Sequence, residues 1–180
     1  MFCRKNFSDC AAPFFRDARI VAGIVTAVSL GALLGAYFFQ YVVGLAPCVL
    51  CLYQRIPHAV IIVLGALGLV LAVRNHPKKT AFIVLLCALG FAVSTGLAFY
   101  HVGVEQRWWA SAFEACSAPM SFNVDDLAAQ LEKTPAVRCD AIAWQMFGIS
   151  MAGYNALLSL LMTIYCAVAA VLVTRRANGF

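Results

Sequence analysis

Four long stretches without a charged residue decide what this chain can fold into. They span residues 20–54, 56–73, 80–104 and 141–174. A charge inside a lipid-facing helix costs about 2.5–3.5 kcal/mol on insertion scales, so such runs are typical of membrane spans. Apolar residues make up 63% of the chain and charged residues 12%, against about 45–50% and about 25% in soluble domains. We therefore expect a compact membrane domain and exclude a soluble or disordered chain.

The lengths of these runs predict an all-α membrane protein with a bundle of four transmembrane helices. A span needs about 20 residues, so the first and last runs are too long for one helix and too short for two. Gly44 and Pro47 interrupt the first run, because Gly and Pro disfavour helix continuation. Pro57 removes a backbone hydrogen bond, which predicts that the second helix begins near Gln54 or is kinked. The predicted spans are about 20–43, 54–73, 80–100 and 147–173.

The distribution of lysine and arginine predicts the orientation in the membrane. Nine of the 13 basic residues lie in the N-terminal tail, the 74–79 turn or the C-terminus, and cytoplasmic loops carry such an excess. Both termini are expected in the cytoplasm, with residues 1–19 as a tail and 20–180 as one membrane domain. We expect the first span to remain part of the mature protein, because it lacks a signal-peptide cleavage pattern. The basic residues are too scattered to favour nucleic-acid binding.

The 101–140 segment is the only sizeable predicted loop and falls on the non-cytoplasmic side. Asn123 can cap a short helix there, and Thr134 with Pro135 ends it. Apolar residues recur along this predicted helix at the spacing of one face. That face fits either the bilayer surface or the helix bundle.

Four of the eight cysteines fall on the predicted non-cytoplasmic side. Cys48 and Cys51 form a CxxC where the first turn runs into span two. A helix N-terminus and a nearby cation both favour the thiolate, which is the species that attacks disulfides. Arg55 is one helical turn after Cys51 and can supply such a cation. Alternatively, its guanidinium group only reaches to the membrane surface. The cysteines of the tail and of the span interiors are expected to be bystanders: Cys3, Cys10, Cys87 and Cys166.

A CxxC alone fits a redox pair, half a zinc site or a haem attachment. Haem attachment of the c type requires His after the second cysteine, where this chain has Leu52. The second pair, Cys116 and Cys139, is too widely spaced for a closed zinc site, so no metal is expected. These two are more typical of a disulfide that closes a loop. Two disulfide-capable pairs facing an oxidising compartment indicate an electron relay.

Three features together resemble the bacterial disulfide bond formation protein B (DsbB) family. They are residues 46–55, APCVLCLYQR, the loop pair Cys116 and Cys139, and residues 147–157, FGISMAGYNAL. The resemblance covers roughly residues 20–175 in order and topology. It implies a thiol:quinone oxidoreductase of the bacterial inner membrane, with its active cysteines in the periplasm. Such an enzyme reoxidises a periplasmic DsbA-type thiol oxidase and passes the electrons to ubiquinone or menaquinone.

The resemblance also implies roles for individual residues. Arg55 matches an arginine associated with the quinone, and His101, just after predicted span three, resembles a histidine placed near it. Some members carry an acidic residue before the arginine, where this chain has Gln54. The catalytic role falls to four cysteines: Cys48, Cys51, Cys116 and Cys139.

An order of exchange follows from this match and from redox chemistry. DsbA has a reduction potential near about −120 mV, so glutathione at about −180 mV or below cannot accept its electrons. A lipid-soluble quinone can reach the bilayer edge and accept them. We expect the partner's thiolate to attack Cys116 of a Cys116–Cys139 disulfide. The freed Cys139 then attacks Cys48, and Cys51 leaves as a thiolate.

Two other functions remain compatible with the sequence. A vitamin K epoxide reductase-like enzyme also combines four spans with a CxxC, but places that motif late in the chain. A four-span scaffold with structural loop disulfides would need neither Arg55 nor cysteines at the lipid edge. A transporter is disfavoured, because Arg55 is the one ionisable residue of clear function within a predicted span.

Overall fold

Four long helices make up most of residues 13–113, 116 and 137–179, which the computed structural model describes. The helices are α1 Ala18–Tyr41, α2 Val49–Val73, α3 Pro77–Glu105 and α4 Met151–Ala177. All four are long and apolar enough to cross a membrane, which confirms the predicted four-helix fold. The predicted loop helix from Asn123, together with Cys3 and Cys10, lies outside the described residues.

Helix α2 begins earlier than the predicted start near Gln54. Cys48 is its N-cap residue, and the Cys48 Sγ accepts a hydrogen bond from the backbone N–H of Cys51 at 3.3 Å. Pro57 lies inside the helix and does not end it. Membrane helices tolerate proline where neighbouring groups satisfy the freed backbone carbonyl. The CxxC therefore forms the cap and first turn of α2.

Helix α3 extends further than predicted, to Glu105, so His101 lies in its last turns and not after the span. The approach to α4 also differs from a simple helix start near residue 147. Strands β1 Gln145–Met146 and β2 Ile149–Ser150 pair as a short antiparallel hairpin. Its turn residues, Phe147 and Gly148, have φ values of 51° and 77°, as the tight turn of a two-residue hairpin requires. Helix α4 then starts at Met151.

The helices pack in chain order, with α3 between α2 and α4, and with α1 against α2. Their shared core is apolar and includes the fully buried Val25, Ile61 and Phe91. Gly90 of α3 lies so close to Ile61 that an added Cβ would meet it at 2.9 Å. Small residues of this kind let membrane helices approach closely. Cys87 and Cys166 belong to this core.

The two ends of the bundle carry different residues. At one end the first described residues pack against α4, where the Tyr165 hydroxyl donates to the Phe14 carbonyl at 2.7 Å. Arg176 also faces Asp17 there, with nitrogen and oxygen 4.0 Å apart. At the other end a second cluster of buried residues surrounds the CxxC. It comprises Cys48, Leu50, Val104, Cys116 and Cys139.

Candidate redox site

The structure brings the four predicted redox cysteines together, although the two pairs are far apart in sequence. Cys116 and Cys139 form a disulfide, and both are buried in the same cluster as Cys48. Cys51 is half-buried and packs against this cluster. The last turn of α3 contributes Val104 to the same packing. The loop disulfide is therefore held against the cap of α2.

The CxxC is in its dithiol form in this structure. The Cys48 thiol donates a hydrogen bond to the Cys51 Sγ, with the sulfurs 2.9 Å apart. Its hydrogen bond with Cys51, together with burial, raises the pKa of the Cys48 thiol. Cys48 is therefore the thiol of the pair that loses its proton less readily, and the Cys51 Sγ accepts the hydrogen bond.

His101 lies directly against this pair. Its ring is 3% exposed, and its Nε2 is 3.6 Å from the Cys48 Sγ. The sulfurs of Cys48 and Cys51 and one ring nitrogen of His101 lie within 4.8 Å of one another. These are also the side-chain types that bind zinc. The resemblance associates His101 with a quinone, and the structure adds a direct contact with a redox cysteine.

Glu105 is part of the site, although no sequence pattern singled it out. One carboxylate oxygen lies 3.8 Å from the His101 Nε2, and the other accepts a hydrogen bond from the Ser150 hydroxyl. Its side chain is only 6% exposed. The uncharged run that predicts span three ends at residue 104. Glu105 therefore falls in the predicted loop, where burial of its side chain is not expected. Its spacing of four residues from His101 is the signal that could have revealed it.

Two neutral amides, Gln54 and Asn155, connect the site to the middle of the bundle. The Gln54 Nε2 donates to the His101 Nδ1 at 2.7 Å, and the Asn155 Nδ2 donates to the Gln54 Oε1 at 2.7 Å. Asn155 in turn accepts from the His58 Nε2 at 3.0 Å. Polar residues inside apolar runs were the available sequence signal for this network, but their partners lie on other helices.

Arg55 is held on the side of α2 that faces α1. Its Nη1 donates to the Gln40 Oε1 at 2.6 Å, and its guanidinium carbon lies 5.0 Å from the centre of the Tyr37 ring. A cation over an aromatic face is attracted to the ring electrons. These two contacts from α1 fix the position of the guanidinium group.

A charged pair follows the loop disulfide. The Arg138 guanidinium donates two hydrogen bonds to the Asp140 carboxylate, at 2.8 and 2.6 Å. These hydrogen bonds hold the pKa of the Asp140 carboxyl below its usual range. Both side chains flank Cys139, so the pair fixes the chain where it leaves the disulfide.

A cavity of about 290 Å³ opens beside these residues, between α1, α2, α4 and the segment after Cys139. Its walls are mostly apolar and include Ala36, Phe39 and Leu158. Its polar side chains come mainly from the α2 start and from α3. They include Cys48, Cys51, Gln54, Arg55, His101 and Glu105. The arrangement can hold a flat apolar molecule with hydrogen-bond acceptors beside a reactive sulfur.

Comparison with known proteins identifies the family. Residues 18–169 match the family model described as disulfide bond formation protein DsbB. A disulfide bond formation protein B of Aeromonas salmonicida (strain A449) is 31% identical over 74% of this chain and 76% of its own. The corresponding protein of Xylella fastidiosa (strain 9a5c) is 34% identical over 67% of this chain and 71% of its own.

An uncharacterized protein of Rickettsia prowazekii (strain Madrid E) is 28% identical over 79% of this chain and 81% of its own. No solved structure gives a significant match. The family model covers most of the chain, including the CxxC, the loop disulfide and the hairpin before α4. The chain therefore belongs to the disulfide bond formation protein DsbB family.

Proposed function

We propose that this protein reoxidises a periplasmic DsbA-type thiol oxidase and passes the electrons to a membrane quinone, ubiquinone or menaquinone. As a DsbB family member with four membrane-spanning helices, it is a multi-pass membrane protein of disulfide bond formation. One observation carries the finer proposal: two cysteine pairs, one a disulfide and one a dithiol, are packed together, and the dithiol pair lines a mostly apolar cavity.

The cavity residues fit a quinone head group. A volume of about 290 Å³ is close to the lower end of ligand pockets, at about 300 Å³. Arg55 has five N–H donors, and its bond to Gln40 uses one of them. The other donors are suited to a quinone carbonyl, while Phe39 and Leu158 would contact its ring. When bound, the quinone supplies an acceptor for two electrons and two protons.

The loop disulfide is suited to receive electrons from a soluble partner. A partner thiolate that attacks the Cys116 Sγ forms a mixed disulfide and releases Cys139 as a thiolate. Cys139 and Cys48 are buried in the same cluster, which supports attack of Cys139 on Cys48 once the CxxC is a disulfide. The partner's second thiolate then displaces Cys116 and closes the partner's own disulfide, and the freed Cys116 attacks Cys139 and releases Cys48. The loop disulfide is thereby restored, and two electrons have moved from the partner to the CxxC.

Cys51 has the properties of the leaving group in that second exchange. It lies in the first turn of α2, where the helix dipole favours a negative charge. Arg55 lines the same cavity and adds a positive charge one turn further along. A sulfur that leaves easily as a thiolate and faces the quinone pocket is suited to pass on the electrons.

We also propose that the cysteine end of the bundle faces the periplasm, with both termini in the cytoplasm and residues 20–180 as one membrane domain. The first described residues and the C-terminal part of α4 meet at the end opposite the cysteines, where Arg176 faces Asp17. Seven of the basic residues that the structure describes lie at that end or in the α2–α3 turn beside it, which follows the positive-inside rule. They are Arg16, Arg19, Arg74, Lys78, Lys79, Arg175 and Arg176. This orientation puts the disulfide in a compartment where disulfides persist.

Quinone consumption by the purified protein tests the proposed function. Given a reduced DsbA-type protein and ubiquinone or menaquinone, the protein should consume the quinone catalytically. The Cys48→Ala variant should not, and Cys166→Ala, which changes a buried cysteine of the apolar core, should retain activity. Absence of quinone consumption with either quinone would favour a scaffold in which the loop disulfide is structural.

A further inference from the structure

A line of hydrogen bonds runs through the bundle and ends at the CxxC. From the His58 Nε2 it passes to the Asn155 Oδ1 at 3.0 Å, and from the Asn155 Nδ2 to the Gln54 Oε1 at 2.7 Å. From the Gln54 Nε2 it continues to the His101 Nδ1 at 2.7 Å. Both histidines and Gln54 are more than nine-tenths buried and Asn155 is half-buried, so bulk water has little access to these contacts.

The chemistry of the amides gives this line a direction. An amide oxygen only accepts and an amide nitrogen only donates. Asn155 and Gln54 each accept a hydrogen bond on the His58 side and donate one toward His101, so all the bonds run in the same direction. The His101 Nδ1 is therefore an acceptor. A neutral imidazole has its proton on the other nitrogen in that case, so His101 carries it on Nε2.

The surroundings of the His101 Nε2 agree with this assignment. The Cys48 Sγ is 3.6 Å away, and a Glu105 carboxylate oxygen is 3.8 Å away. Both can accept a hydrogen bond from an N–H group. The Cys48 thiol in turn donates to the Cys51 Sγ at 2.9 Å. Every bond from His58 to Cys51 thus points the same way, and aligned hydrogen bonds strengthen one another.

We propose that Gln54 and Asn155 are positioning residues that fix the Nε2–H tautomer of His101, so that reduced Cys48 keeps its proton and Cys51 carries the thiolate. This inference rests on the proposed function, in which Cys51 delivers electrons to the cavity. The opposite tautomer would present a bare Nε2 that takes the Cys48 proton and leaves the thiolate on Cys48.

The Gln54→Glu substitution keeps the size and shape of the side chain but replaces the donor that faces His101 by an acceptor, which reverses the direction of that hydrogen bond. The ionised carboxylate that it introduces accepts from Asn155 but cannot donate to His101. The His101 proton then moves to Nδ1, and Nε2 accepts the Cys48 proton. Asn155→Leu is the second variant, because it removes the donor that orients Gln54. Thr163→Val serves as the control, since the Thr163 hydroxyl donates to the Ser159 carbonyl at 2.8 Å, outside the line.

The tautomer can be read directly by nitrogen NMR of ¹⁵N-histidine-labelled protein, which contains three histidines. We expect a protonated Nε2 and a bare Nδ1 for His101, assigned by comparison with a His101→Gln variant. A protonated Nδ1 in the unaltered protein would overturn the inference without any variant having to fold. One neutral pH is used throughout, because the charged side chains of Glu105, Arg55 and Arg138 line the same cavity.

The position of the thiolate is read by a short pulse of iodoacetamide on the reduced protein, without quinone or partner. Fragment masses give the ratio of labelled Cys51 to labelled Cys48. We expect this ratio to fall about tenfold in Gln54→Glu, as loss of one hydrogen bond to a charged group implies. It should also fall in Asn155→Leu and stay unchanged in Thr163→Val.

An unchanged ratio in Gln54→Glu, when the NMR spectrum shows the altered tautomer, would refute the link between His101 and the thiolate. The assay contains no quinone, so this failure leaves the proposed function standing. Conversely, failure of quinone reduction by a protein with the expected tautomer and ratio would refute the proposed function alone.

Discussion

Replacing Arg55 by Met tests whether the cavity beside the CxxC is a quinone site. Methionine keeps much of the apolar stem that packs along α2 but removes the positive charge and all N–H donors. In the structure the guanidinium is held by Gln40 and by the Tyr37 ring. The group is therefore already oriented, and the substitution removes a positioned donor and not a mobile surface charge.

The size of the effect follows from the hydrogen bond that is lost. A hydrogen bond to a charged group contributes about 1.5–3 kcal/mol, and about 1.4 kcal/mol corresponds to a tenfold change in binding. We therefore expect the apparent KM for quinone to rise about ten- to a hundredfold in Arg55→Met. The exchange at Cys116 should change little, because the loop disulfide reacts before the quinone is involved.

Steady-state quinone consumption at varied quinone concentration measures this KM, and quenched alkylation measures the thiol exchange separately. Tyr37→Phe is a matched control, because it keeps the ring beneath the guanidinium and should leave the KM within about twofold. Unchanged quinone kinetics in a folded, active Arg55→Met protein would contradict the argument. The arginine would then only extend toward the membrane surface, and the acceptor site would lie elsewhere.

The remaining predictions concern the loop, the orientation and the packing. In a Cys139→Ser protein, the Cys116 thiolate should attack the disulfide of the oxidised soluble oxidase, which releases one oxidase cysteine as a thiolate and leaves a mixed disulfide visible on non-reducing gels. A mixed disulfide that forms instead through Cys139 in a Cys116→Ser protein would reverse the roles. In intact cells, an impermeant thiol reagent should label a cysteine introduced at the cysteine end of the bundle and not one at either terminus. Gly103→Ala should lower the free energy of unfolding by about 1 kcal/mol, because the added methyl group would meet the Trp109 ring. An added methyl group at Gly96 meets open space, so Gly96→Ala is the control and should not lower it. Thermal unfolding of both variants measures the difference.

The four-helix fold could be predicted because it depends on a property that each residue carries alone. Charge-free length marks a membrane span whatever the helix packs against. The ends of the helices were less predictable, because they depend on local partners. Cys48 caps α2 through its sulfur, and Pro57 then lies within a helix that the sequence suggested would start later or kink.

The charged and polar parts of the site were harder to predict for a related reason. Glu105 lies at the end of α3, and its burial depends on Ser150 and His101 as partners. Gln54 and Asn155 are separated by 101 positions and meet only when α2 and α4 pack together. The sequence pointed to the cysteines because their spacing and their predicted side of the membrane indicate redox chemistry. A neutral amide inside an apolar run indicates only that a polar partner is needed, and that partner is known only once the helices pack.

The central claim, that electrons pass from the loop disulfide to the CxxC and then to a quinone, is tested most directly by a single turnover. The fully oxidised, quinone-free protein is mixed with one equivalent of reduced DsbA-type partner, quenched by alkylation and analysed by mass spectrometry. We expect the partner to be oxidised, the Cys116–Cys139 disulfide to be restored, and both thiols to be found on Cys48 and Cys51. Added quinone should then remove those two thiols. Thiols that remain on Cys116 and Cys139, or a CxxC that quinone does not reoxidise, would contradict this account.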